Sequence, residues 1–307
     1  MPDPKLSAHL QLRLLGSPSQ SINGNEVTQF RSAKTQALLY YLAVTGENHR
    51  RTSLSALFWP NVSETKANAS LRVALNSLRK VIADHLIVDR HTVTLDDNLV
   101  WVDTQQFTRL LQEMDDATLT MQQRQAAVSL YVGDFLEGFH VDDAPDFDHW
   151  VTSMREYFQQ AMNHALMELA RWHVTHRDQA ASLAALSRLL ALAPGNEAGH
   201  RLMMQVLTHT GQRTAAILQF DTLRRYLVEE LGIDPEPETM ALYAQLLEGN
   251  SVDPKSGVSV TTVPSAQFPP GLGSMRAIQT DWGDMPGRTP FHGRIHQLTE
   301  IINRLVR

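Results

Sequence analysis

The chain has 307 residues, 43% hydrophobic and 20% charged, with a formal net charge of −6 and no cysteine. That length and composition predict two or three domains of ordinary globular make-up. The missing cysteine excludes disulfides, thiolate zinc centres, iron–sulfur clusters and cysteine nucleophiles. No apolar run approaches the ~20 residues of a membrane span, so a cytoplasmic protein with no membrane partner is expected.

The N-terminus, "MPDPKLSAHLQ", lacks the apolar stretch of a secretory signal. Next, "HLQLRLLG" alternates, with Leu10, Leu12 and Leu14 on one side and His9, Gln11 and Arg13 on the other, which predicts a half-buried strand. Asn23-Gly24 in "SINGNEV" predicts a type I′ hairpin, whose two central residues both need positive φ. A helix is expected over about 33–45, with Leu38, Leu39, Tyr41 and Leu42 as its apolar set and Gly46 as its stop. A short helix over about 53–58 would start at a Thr52 or Ser53 cap and end at Trp59-Pro60.

The next helix, expected over 63–83, is the most informative. Leu71, Leu75, Leu78 and Ile82 give it one face for burial. At ~100° per residue, Lys66, Ala69, Val73, Asn76 and Lys80 lie opposite Leu71, with Arg72 and Arg79 on the flank. The charge around it is local and positive. Between Ala33 and Ile82 stand seven basic residues and only Glu47 and Glu64, in a chain that is acidic overall. A solvated face accounts for lysine and arginine, but not for Ala69 and Val73 exposed among them. Small apolar groups suit thymine methyls, and Arg and Asn suit guanine and adenine edges.

Three short β-rich runs follow, "LIVD", "VTL" and "LVWVD", with Asp96-Asp97-Asn98 as turn residues. From about 104 the pattern is helical through Trp172, interrupted by the acidic loop "EGFHVDDAPDFDHW". Then a repeat appears. Arg177 and Gly211, Leu183 and Ile217, and Leu186 and Phe220 are equivalent pairs at the 34-residue tetratricopeptide period. Small residues such as Ala216 let paired helices approach. The second copy departs from the first at Pro235, and "PETMALYAQLL" predicts a capping helix. Residues 249–290 turn rich in Gly, Pro, Ser and Thr and read as a linker, before an amphipathic segment begins at about 291.

The stretch "LFWPNVSETKANASLRVALNSLRKVIA" resembles the DNA-binding domain of the antibiotic-regulatory-protein type of bacterial transcription activator, a winged helix. "LYVGDFLEGFHVDDAPDFDHWVTSMREYF" and the long run ending in "EELGIDPEPET" are similar to the bacterial transcriptional activator domain that follows it in this family. The resemblance implies a mainly α fold with a small β component: a winged helix-turn-helix, then an α-helical tetratricopeptide-like repeat domain. Residues 8–103 would bind double-stranded DNA and 104–248 would form the repeat domain. Residues 249–290 would be a flexible linker. Residues 291–307, where "PFHGRIHQL" is similar to the start of an ATPase module, would open a further domain of a longer protein. The resemblance also implies RNA polymerase recruitment through the loop holding Trp59, Asn61 and Val62, and self-association through the repeats.

The expected DNA-contacting set is Lys66, Asn68, Ala69, Arg72, Val73, Asn76, Arg79 and Lys80 on the helix, with Arg50, Arg51 and Arg90 from loops. Lys34, at a helix start that disfavours a cation, points to an anionic partner. The family's wing usually carries a glycine and aromatic pair. Here Asp96, Asp97 and Asn98 stand instead, and an acidic tip would repel phosphate. Arg90 and His91 are better placed. The cluster Asp142, Asp143, Asp146 and Asp148, with His140 and His149, lacks the glycine-centred calcium-loop spacing and reads as helix N-terminal charge rather than a metal site. There is no HExxH, no Gly-x-Ser-x-Gly and no phosphate loop ending in Gly-Lys-Ser/Thr, so no enzyme and no cofactor are expected. The alternative is a protein-interaction scaffold, or the sensory front end of a signalling ATPase, with little DNA affinity. The net charge and the acidic turn favour that alternative.

Overall fold

In the computed structural model, which describes residues 10–112 and 117–248, the alternating leucines form the first strand, β1 (Leu10–Arg13). Leu10, Leu12 and Leu14 are fully buried. β2 (Ser19–Ile22) pairs antiparallel with β1, and β3 (Asn25–Glu26) pairs antiparallel with β2. The turn between β2 and β3 is Asn23-Gly24, at φ 52° and 80°, the positive pair expected for type I′. The linker and further segment expected beyond residue 248 lie outside the described residues.

Helix α1 (Ala33–Thr45) is capped by Ser32, which accepts from the Thr35 N–H, and ends at Gly46. It is buried on most sides: Tyr40, which was not in the expected apolar set, is fully buried, and Tyr41 is half-buried. After β4 (His49–Arg50), helix α2 spans Arg51–Phe58. It starts earlier than a Thr52 or Ser53 cap would allow, because the Arg51 N–H is satisfied by the His91 carbonyl at 2.9 Å rather than by a local side chain. Helix α3 (Glu64–Ile82) buries Ala67, Leu71, Ala74, Leu75, Leu78 and Ile82 against α1 and α2. Its remaining side faces outward.

The strands after α3 correct the reading of the wing. β5 (Leu86–Val88) and β6 (Thr92–Leu95) form the hairpin, and β4 adds on the outer side of β6, giving the order β4-β6-β5. The hairpin turn is therefore Asp89-Arg90-His91. Asp96, Asp97 and Asn98 lie at its base, where the Asp96 N–H bonds the His85 carbonyl and the Asp96 carboxylate accepts from the Asn98 N–H. They hand the chain to β7 (Val100–Val102), which runs parallel to β1 in the other sheet, ordered β3-β2-β1-β7.

Helices α4 (Asp103–Leu110), α5 (Ala117–Leu130) and the 31-residue α6 (Pro145–Thr175) follow. The core does not stop at their entrance. A single buried cluster runs from Leu10 through Phe107, Phe135, Phe158 and Leu186 to Val206. Tyr40 meets Phe139 edge-on at 5.3 Å, Tyr41 meets Trp150 at 4.9 Å, and Phe58 meets Phe147 at 5.2 Å. Beyond β1 the backbone exchanges bonds with residues 132–137: Leu136 N–H to the Leu14 carbonyl, Gly16 N–H to Asp134, and Glu137 N–H to Gly16. The buried Asp103 carboxylate accepts from Leu14 N–H at 2.8 Å and Leu15 N–H at 3.0 Å. Its pKa is raised, because burial outweighs the opposing effect of the backbone donors.

Helices α7 (Gln179–Leu192), α8 (Glu197–His209), α9 (Arg213–Tyr226) and α10 (Pro237–Glu248) complete the described chain. The 34-residue equivalence holds in the backbone. Arg177 and Gly211 both adopt left-handed turns, at φ 60° and 77°, directly before α7 and α9. Ser182 and Ala216, Leu186 and Phe220, and Leu189 and Leu223 are equivalent and all buried. The copies diverge afterwards. Pro194 ends the first, whereas the second continues through a π-turn over Leu227–Leu231 to Gly232, because no proline blocks it. Phe220 stacks on Tyr243 of α10 at 3.9 Å, within a second, smaller buried cluster.

Candidate nucleic-acid interface

Three elements meet on one face of the winged helix. The β4–α2 junction supplies Arg50, Arg51 and Thr52. The outward side of α3 supplies Asn68 and Arg72. The hairpin turn and the start of β6 supply Arg90, His91 and Thr92. Together they line an open cleft of 850 Å³. Four of these eight residues are arginines and none is acidic. The bond from Arg51 N–H to the His91 carbonyl and the pairing of Arg50 with Thr92 fix the α2 start against the hairpin, so the arginines from both are held in register. Beneath them, His49 is half-buried and its Nε2 meets the Thr45 hydroxyl at 2.6 Å. Burial lowers its pKa.

The structure thus gathers Arg50, Arg51, Asn68, Arg72 and Arg90 into one cleft. Lys66, Ala69, Val73, Asn76, Arg79 and Lys80 continue along the exposed side of α3 outside it. Thr52 and Thr92 were not among the expected contacts. Thr52 had been read as a cap, and Thr92 carries no local signal, since only pairing with residue 50 brings it here. The α2–α3 loop presents Asn61 and Val62 to solvent, while the half-buried Trp59 packs against Phe58 at 6.0 Å. Lys34, expected to point to an anionic partner, has contacts within the chain. Its ammonium donates to the Asp143 carbonyl at 3.1 Å and lies 5.9 Å from the Trp59 ring centre, joining α1 to the acidic loop.

In that loop, His140 stands 3.5 Å from Asp142 and 3.7 Å from Asp148, and Asp146 and Asp148 sit in the first turn of α6, where a helix N-terminus favours negative charge. Among the described residues, no group of three or more His, Asp or Glu is placed to hold a metal, and no helix is long and apolar enough to cross a membrane.

The fold is a winged helix with a helical repeat domain built onto it. The family model of the bacterial transcriptional activator domain matches residues 102–247. Regulatory protein AfsR of Streptomyces griseus is 24% identical over 311 residues, covering 98% of this chain and 30% of that protein. This chain therefore spans less than a third of that relative's length. A solved structure of Mycobacterium tuberculosis EmbR in complex with a low-affinity phosphopeptide shares the fold. It matches with a TM-score of 0.61 at 21% identity, over 81% of this chain and 68% of that one. Residues 102–247 thus resemble the bacterial transcriptional activator domain in sequence, and the chain shares its fold with the solved structure.

Proposed function

We propose that this chain is a transcription regulator of the antibiotic-regulatory-protein type that binds double-stranded DNA sequence-specifically, with α3 in the major groove and Arg50, Arg51 and Arg90 of the cleft on the phosphate backbone beside it. The observation that carries the reading is the convergence of Arg50, Arg51, Arg72 and Arg90 with Asn68 in one open cleft lined by no acidic side chain. A major groove about 12 Å wide admits a helix. Arginines from the α2 start and the hairpin turn are placed to grip phosphate, which positions the helix, while the exposed side of α3 meets base edges. Asp96 and Asp97 lie at the base of the hairpin and not at its turn, where Asp89 stands beside Arg90 and His91.

Activation proceeds by recruiting RNA polymerase through the α2–α3 loop, where Asn61 and Val62 are exposed, and the repeat domain supports self-association. Both steps rest on the likeness to the activator family. Binding to DNA selected from a random pool, titrated across salt concentrations, tests the first claim. Affinity should fall steeply and linearly on logarithmic axes as salt rises. Arg72→Ala should weaken the selected site by about 1–3 kcal/mol, and Lys66→Ala or Lys80→Ala should weaken all sequences alike and flatten the salt slope. Unchanged affinity in all three variants, with helical content intact by circular dichroism, would favour the scaffold reading instead.

A further inference from the structure

We propose that Val73, together with Ala69, reads thymine through its 5-methyl group. The inference rests on the DNA-binding reading and specifies what that surface recognises. The buried side of α3 is complete without Val73: Ala67, Leu71, Ala74, Leu75, Leu78 and Ile82 fill it. At ~100° per residue, Val73 points to the opposite side, and it is 45% exposed there. An exposed β-branched side chain brings no helix propensity that would account for it, since its χ1 freedom is lost against the preceding turn.

Its neighbours give it a context. Ala69, four residues before it, shares its side of the helix and is also exposed, so the two make one small apolar spot. Arg72 and Asn76 border that spot, and both are exposed. In a major groove the base edges offer hydrogen-bonding groups almost everywhere, and the apolar feature among them is the thymine methyl. Arginine pairs with guanine O6 and N7, and asparagine with adenine N6 and N7. An isopropyl group on the same outward side as those two donors, next to Asn76 three residues on, is placed to pack on a methyl in the same groove. The preferred site should then contain a thymine next to a purine contacted by Arg72 or Asn76. The contact is dry and uncharged, so it adds selectivity without adding to the salt dependence that the arginines impose.

Deoxyuridine isolates this contact, because it removes the 5-methyl and keeps every base-pairing group. Sites are selected from random duplex DNA with the wild-type chain, and each thymine of the best site is replaced in turn by deoxyuridine. At one or two positions the wild type should bind about fourfold more weakly, the factor for one buried methyl group. Val73→Ala should bind the thymine site more weakly than wild type does and lose its sensitivity to deoxyuridine at those same positions. Val73→Thr, which keeps the shape and adds a hydroxyl, should fall between the two. If deoxyuridine has no effect anywhere, or Val73→Ala stays fully sensitive to it, the inference is overturned while DNA binding stands. A chain that selects no site overturns both.

Discussion

Asp103 ties the first strand to the helical part of the chain, through a carboxylate that accepts from two backbone N–H groups 88 and 89 residues away. Asp103→Ala should destabilise the protein by about 1–3 kcal/mol for each buried donor left without a partner, measured by urea unfolding. In the sequence this aspartate was only the end of "LVWVD". Nothing local marks a partner so distant. His200 makes a second residue-scale prediction. It is buried, its Nε2 lies 2.9 Å from the Pro194 carbonyl, and its Nδ1 lies 2.7 Å from the Gln219 amide nitrogen. A carbonyl only accepts, so Nε2 carries the proton and Nδ1 accepts from Gln219. Burial lowers the pKa of this neutral ring below its ordinary 6.5. A histidine whose folded pKa is depressed contributes stability above its unfolded pKa and loses it as pH falls through about 6.5 toward the folded value. Unfolding scans between pH 8 and pH 5 (roughly the range in which histidine titrates) should show wild type losing stability relative to His200→Gln. A gap that does not change with pH contradicts the assignment.

At the scale of elements, the helices and the first hairpin were legible because their signals are local: leucine periodicity in α3, Asn23-Gly24 between β2 and β3, and Gly46 after α1. The wing was less so. Three short β-rich runs separated by two turns do not say which turn closes a hairpin. That depends on β7 pairing with β1, about ninety residues back in the chain. The helical repeat was legible from its period, but the two copies differ in where their cores lie. Leu186 belongs to the large cluster and its equivalent Phe220 to the small one. Truncation should therefore have different consequences. Phe220→Ala should cost about 3–5 kcal/mol, loosen α9 and α10 first, and leave binding to a single DNA site largely present. Leu186→Ala should cost about 2–5 kcal/mol and lower the midpoint for the whole described chain. Hydrogen exchange resolved by helix distinguishes the two, and equal deprotection of α3 in both variants would mean that the clusters unfold as one.

For the molecule as a whole, the apolar stripe of α3 marks a buried face but not how far the core behind it extends. The structure places Tyr40, Tyr41 and Phe58 of the winged helix against Phe139, Trp150 and Phe147 of the next part, and adds a backbone ladder between residues 14–16 and 132–137. Residue patterns show which side of a helix is apolar, but not which neighbour covers it. A fragment of residues 1–103 should consequently be poorly folded, with exposed apolar surface detectable by dye binding, whereas 1–248 should unfold cooperatively and bind DNA. A fully folded, DNA-competent 1–103 fragment would show the shared packing to be dispensable. On the DNA-binding reading proposed above, the joint core also constrains how such chains can diversify. A reading head whose interior is finished by the domain behind it is a poor candidate for exchange by recombination near residue 103. A graft there would join two half-interiors that never adapted to each other. New operator preferences should instead arise by point changes on the outward side of α3, or travel in one inherited block with α4 to α7.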